Sequence, residues 1–235
     1  MKSKMEHHSH CHEEKIKLPP YQLTNEEKKV ANLLADNISE EKLLEAIHLI
    51  SMKNDYIVYL FEIHFIDHVI KMYTKEILPK IKPTQILIKI IELFDIISET
   101  SFRNLLLSIN ILSLLIPVGF CNEVPMATTH SVLRIYDNLI YDEESALFSM
   151  SNQIFPLLMI WSEFGDSSVQ LLSIEILIKL CHVKSILIFI SNSPEKINSF
   201  VTQFKKLHER PILTKKIDEL FNIVSSIPSI RSQLN

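Results

Sequence analysis

At 235 residues, 47% of them hydrophobic, the chain can bury a sizeable core, which excludes disorder over most of its length. Its two glycines, Gly119 and Gly165, supply few of the left-handed positions that hairpin turns, phosphate loops and glycine-rich cofactor cradles need, so most nucleotide-binding and all-β readings fall away. A formal net charge of −4 argues against nucleic acid as a partner, because attraction to phosphate backbones needs clustered Lys and Arg.

In chain order, Met1 to Pro20 is a His-rich tail of Lys, His and Glu ending in Leu18-Pro19-Pro20. It cannot bury enough apolar surface to order itself, and a single helical domain is expected over residues 21–235. The tail has neither the apolar stretch of a secretory signal nor the Arg-rich, acid-poor character of a transit peptide. Thr24 before Glu26 and Glu27 reads as an N-cap, with Val30, Leu33 and Leu34 giving the helical period. Ser39 repeats the device ahead of Leu43, Leu44, Ile47 and Ile50. One long apolar helix is predicted from Asn54 or Asp55 to Tyr73, then Pro79 and Pro83 punctuate the passage to a helix from Thr84 to about Ile97.

Further helices are predicted over Phe102–Ile116, Met126–Tyr141, Glu143–Met150, Asn152–Glu163, Ser167–His182, Pro194–His208 and Pro211–Val224. Ser193 ahead of Pro194 and Glu195 is a good helix start. Ile186 to Ile190 would also suit a strand, but nothing in the chain offers it a partner. The predicted class is all-α.

From Asn104 to Asn122 no side chain is charged, and Leu105 to Val118 is almost wholly apolar. Ser108, Asn110 and Ser113 interrupt the run, and Pro117 and Gly119 close it, which leaves fewer than the roughly 20 apolar residues that cross a bilayer. A helix buried between neighbours is the preferred reading. Cys11, Cys121 and Cys181 form an odd, dispersed set without a CxxC pair, which suits a reducing compartment and places the chain in the cytoplasm or nucleus.

An internal echo aligns Leu106-Leu107-Ser108-Ile109-Asn110-Ile111-Leu112 with Leu171-Leu172-Ser173-Ile174-Glu175-Ile176-Leu177, with Leu115 and Leu180 in register. A restricted apolar alphabet also produces such matches, so the echo has two explanations. More specific is the order Ile154-Phe155-Pro156-Leu157-Leu158, then Gly165-Asp166-Ser167-Ser168-Val169-Gln170, then Leu171 to Leu180. It resembles one armadillo repeat, in which a second helix with a Pro-Leu pair ends at a Gly-Asp turn and a third helix begins with a Val-Gln-like pair.

Val132-Leu133 with Asn138-Leu139 is similar to the end of another third helix, 41 residues before Leu180. The clear match spans about residues 143–182, residues 83–141 fit loosely, and the first eighty fit only as generic helices.

The resemblance implies a right-handed superhelical solenoid of armadillo-like helical repeats, or the related HEAT-like form. Its third helices would line a concave surface that holds a protein or extended peptide. On that register the ladder positions are Arg134, Asn138, Glu175 and Lys179. Family members that carry nuclear import cargo have Trp and Asn there. This chain keeps only Asn138, so recognition of basic import signals is not expected. Read without the resemblance, Glu175 and Lys179 are an i,i+4 ion pair on a solvated face.

Two histidine features offer metal donors: the tail His7-His8-Ser9-His10-Cys11-His12, and His64 with His68, predicted one helical turn apart on a shared face. The tail has no scaffold to fix geometry, and the HExxH pattern of a zinc protease is missing because residue 65 is Phe. No cofactor is expected. The chain has no Gly-x-Ser-x-Gly, Walker-type loop, CxxC pair or dinucleotide fingerprint. Asp166-Ser167-Ser168 suits a helix cap better than a nucleophile, Cys121 and Cys181 lie in apolar surroundings, and Trp161 is an anchor in the core or at a groove rim. The expected function is therefore a non-enzymatic scaffold or adaptor that binds a protein partner, with small molecules disfavoured. The alternative is a membrane-associated or complex-embedded helical subunit, with Leu105 to Val118 and the Phe155 to Trp161 face against lipid or a permanent partner.

Overall fold

The computed structural model describes residues 18–35, 37–192 and 194–234. The His-rich tail, with His7, His8, His10, Cys11 and His12, lies outside the described residues, as does Ser193. The described residues form helices and no strand. They open with α1 (Asn25–Asn32) and α2 (Glu40–Met52). Three helices follow as α3 (Asp55–Glu62), α4 (Phe65–Met72) and α5 (Gln85–Ser98), with a π-helical turn (Tyr73–Ile77) and a 3-10 turn (Leu78–Lys80) between the last two. The next are α6 (Arg103–Ser108), α7 (Ile111–Gly119) and α8 (Met126–Leu139), then α9 (Glu143–Ser151), α10 (Ile154–Phe164) and α11 (Ser167–Cys181). The chain closes with α12 (Lys184–Ser191), α13 (Pro194–His208), α14 (Pro211–Val224) and α15 (Pro228–Leu234).

Side-chain caps fix where α1, α2, α5, α9 and α11 start. Thr24 and Glu27 form a reciprocal capping box: the Glu27 amide donates to Thr24 Oγ1 at 3.2 Å, and the Thr24 amide donates to Glu27 Oε2 at 2.6 Å. Ser39 caps α2 through the Lys42 amide, and Thr84 caps α5 through the Leu87 amide. Asp142 caps α9, and Asp166 accepts from the amides of both Ser168 and Val169 at 3.0 Å to start α11.

Two long helices expected from periodicity are each two helices. The break in Asp55–Tyr73 is His64, at φ 60°, and the break in Phe102–Ile116 is Asn110, at φ 54°. Gln153, at φ 62°, makes the same bend between α9 and α10. A left-handed residue turns the chain sharply while both flanks stay apolar, so the hydrophobic pattern runs through the bend unchanged. Neither glycine supplies this conformation; instead Gly119 and Gly165 mark close approaches. A Cβ on Gly165 would overlap Val169 and lie 2.7 Å from the Trp161 carbonyl, and one on Gly119 would meet Leu157 Cδ2 at 2.8 Å.

The echo between residues 106–112 and 171–177 is not a structural equivalence. The first stretch straddles the bend at Asn110, whereas the second lies within α11. Ile186 to Ile190 is helical, within α12, and α15 has no counterpart among the predicted helices. Leu18, assigned from sequence to the tail, packs on the core.

Five helices form one row in which each packs on the next: α2 on α5, α5 on α8, α8 on α11 and α11 on α14. Their first residues lie 41 to 45 positions apart. α7, α10 and α13 pack in a second row against the first, and a continuous apolar cluster runs between the two from Ala31 to Ile230. Three of its polar groups donate to backbone carbonyls, while the buried Thr129 Oγ1 has no hydrogen-bond partner among the described residues. Trp161 Nε1 donates to the Gly119 carbonyl at 2.6 Å, Tyr73 to Leu114 at 2.6 Å and Tyr136 to Leu112 at 2.5 Å. Burial raises both tyrosine pKa values and pushes the Cys181 thiol up to about 12, so it stays protonated. The uncharged run from Asn104 to Asn122 is divided at Asn110, and no helix among the described residues is long and apolar enough to cross a membrane.

Candidate functional site

The row α5, α8, α11 and α14 carries polar side chains on one edge, and these join each helix to its neighbour. Asp95 of α5 is buried at 2% exposure and accepts from Arg134 Nη2 of α8, while Arg134 Nη1 lies 3.5 Å from Glu99 Oε1. One turn along α8, Asn138 Nδ2 donates to Ser98 Oγ at 3.0 Å. Lys179 of α11 reaches back to Asp137 of α8, 2.5 Å from its carboxylate and 2.9 Å from its carbonyl oxygen. Glu175 of α11 reaches forward to Lys216 of α14 at 3.3 Å, and Arg210 donates to Gln170 Oε1 at 3.0 Å.

Arg134, Asn138, Glu175 and Lys179 thus share one row of helices, and all four are engaged between helices. The i,i+4 pair expected of Glu175 and Lys179 is replaced by two links of opposite direction, because carboxylate and ammonium partners on the neighbouring helices lie within 3.3 Å. The Arg134 pKa is raised by its hydrogen bond to Asp95, against the opposing effect of burial. Burial pulls the Lys216 pKa down, but Glu175 and Glu219 outweigh it and hold the ammonium above its ordinary value.

Sequence reasoning missed Asp95, Asp137 and Lys216. A signal for them existed: Asp95 with Arg134, Asp137 with Lys179, and Glu175 with Lys216 are opposite charges 39 to 42 residues apart. The row ends in a groove of about 480 Å³ at the C-terminal ends of α8 and α11, where Arg103, Asn138, Tyr141, Lys179 and His182 converge. The Arg103 guanidinium sits 4.2 Å from the centroid of the Tyr141 ring and donates to the Asn138 carbonyl at 3.3 Å.

The histidine pair is arranged differently from the expectation. His64 forms the bend before α4 rather than sharing its face with His68. Its Nδ1 lies 2.7 Å from Asp67 Oδ2, while His68 Nδ1 lies 3.2 Å from the Ala35 carbonyl oxygen. Among the described residues no group of three His, Cys, Asp or Glu is placed to hold a metal ion. Asp166 is a helix cap, and its carboxyl is held below the ordinary value by the hydrogen bonds it accepts, that from Val169 first. Trp161 lies in the core. In comparisons with known proteins, the chain matches no family model and no curated relative.

Proposed function

We propose that the chain is a non-enzymatic protein-binding scaffold, a right-handed superhelical stack of armadillo-like units whose third helices, α2, α5, α8, α11 and α14, hold an extended segment of a partner protein. The observation that carries this reading is the row itself, in which like helices recur every 41 to 45 residues and each packs on the next. That spacing suits repeats that cannot bury their apolar faces alone and so bury them against neighbours. The polar edge supports binding there. Arg134, Lys179 and Glu175 keep 44%, 43% and 37% of their side chains exposed, so their heads reach solvent. The Lys179–Asp137 and Glu175–Lys216 pairs are partly exposed on both sides and worth at most about 1 kcal/mol each, so exchanging them for a partner's backbone or charges costs little.

A second reading, a subunit embedded in a permanent complex, is favoured by Pro156, Ile160 and Phe164, an exposed stripe at i, i+4 and i+8 on α10 with Phe164 69% exposed. It differs from the face expected from sequence, since Phe155 and Trp161 are buried.

Affinity capture with mass spectrometry separates the two. The Glu175→Lys/Lys179→Glu variant is expected to lose the partners of the wild type while keeping its helical circular dichroism. An unchanged set of partners would discard the polar edge as the binding surface, and loss of partners only on Phe164→Asp would favour the embedded subunit.

A further inference from the structure

A larger groove, of about 940 Å³, opens near the other end of the chain between the α1–α2 linker and the α4 helix with its π-helical turn. His68, Lys71 and Lys75 line one wall at i, i+3 and i+7, and Ile38 and Met72 supply an apolar floor. The cationic side chains are exposed, and no ion pair among the described residues involves Lys71 or Lys75. That sets them apart from Lys53, Lys89, Lys179, Lys206 and Lys216, each of which has a carboxylate within 4 Å. Glu76 also lines the groove and pairs with neither. Asp36, whose neighbours Ala35 and Asn37 line it too, lies outside the described residues.

The wall is fixed in place. Tyr73, the first residue of the π-helical turn, is buried and tied to the Leu114 carbonyl, so the turn that carries Lys75 is anchored to the core. Such turns are rare and are frequently found at functional sites. His68 is held by its contact with Ala35, and since a carbonyl only accepts, Nδ1 carries the proton and Nε2 faces away from that bond. Two like charges one turn apart, with no carboxylate within 4 Å among the described residues, repel each other. In a chain of net charge −4, the described lining carries two ammonium groups against the one carboxylate of Glu76, an excess that complements an anion.

We propose that this groove binds an acidic peptide segment of a partner protein, its carboxylates against Lys71 and Lys75 and an apolar side chain on Ile38 and Met72. A small inorganic anion would leave most of the volume and the apolar floor unused. Nucleic acid would need a longer basic track. The site is separate from the polar edge of α5, α8, α11 and α14, and does not depend on how that edge is used.

The test is fluorescence anisotropy on the full chain with three probes: a labelled hexapeptide of alternating Glu and Leu, its Gln-Leu counterpart, and vesicles of phosphatidylserine. The Glu peptide is expected to bind, to weaken roughly tenfold in Lys71→Gln/Lys75→Gln, and to weaken as salt is raised to about 300 mM. Lys215→Gln, an exposed lysine on α14, should leave the affinity unchanged. The proposal is overturned if the Gln peptide binds equally well, if the double lysine variant binds the Glu peptide as the wild type does, or if that variant loses only vesicle binding.

Discussion

Gln153 holds φ at 62° with a side chain that forms no cap on α10, the helix it precedes. An L-residue in this conformation carries a steric cost of about 1–2 kcal/mol, and glycine escapes it at the expense of a looser unfolded chain. Gln153→Gly is therefore expected to raise stability by about 0.5–1 kcal/mol, read as a higher urea midpoint. Asn110→Gly should gain less, since asparagine tolerates the left-handed region. Arg134 presents the opposite case. Its loss in Arg134→Ala leaves the Asp95 carboxylate buried without its counter-charge, which should cost about 2 kcal/mol, less than in a fully buried pair because water reaches the 44% exposed arginine. Adding Asp95→Asn should recover part of that loss in the same titration, since the neutral amide needs no counter-charge.

At the scale of the element, the helix starts were the most legible feature of the sequence because a cap is satisfied within three residues of itself. Thr24, Ser39 and Asp166 all cap the helices expected of them, and Thr84, expected to open its helix, is the cap before it. The bends at His64 and Asn110 were not legible: backbone hand leaves no mark on hydrophobic period, so α3 with α4, and α6 with α7, read as single helices. The caps also set a pH dependence. Backbone hydrogen bonds, from Ser145 to Asp142 and from Val169 to Asp166, hold both carboxyl pKa values below the ordinary 3.8. A group whose folded value is depressed contributes fully above its unfolded pKa and loses that contribution as pH falls through the folded value. Thermal melts from pH 7 to 2 should therefore show stability lost below about pH 4, and Asp142→Asn/Asp166→Asn should flatten that acid limb while costing little at pH 7, since asparagine also caps.

At the scale of the molecule, the proposed stack of nearest-neighbour units makes its own prediction. Ending the chain after Val183 removes α12 to α15 and uncovers the side of α11 that packs on α14. In a stack, stability is a sum of unit and interface contributions. The shortened chain should keep the helical circular dichroism of α1 to α11 and unfold at a lower denaturant concentration. Loss of all helical signal would mean that the core depends on closure around one centre, and the stack would be discarded.

The sequence by itself determined the helical class, the caps at Thr24, Ser39 and Asp166, and the burial of Cys181, because each follows from side chains close in the chain or from apolar content. Tertiary structure alone decided where the charges go. Arg134, Asn138, Glu175 and Lys179 were identifiable as one face of their helices, but their partners Asp95, Ser98, Asp137 and Lys216 lie on the adjoining helix. Lys71 and Lys75 drew no notice in the sequence, since a lysine without a carboxylate differs from a paired one only once the neighbouring helices are in place.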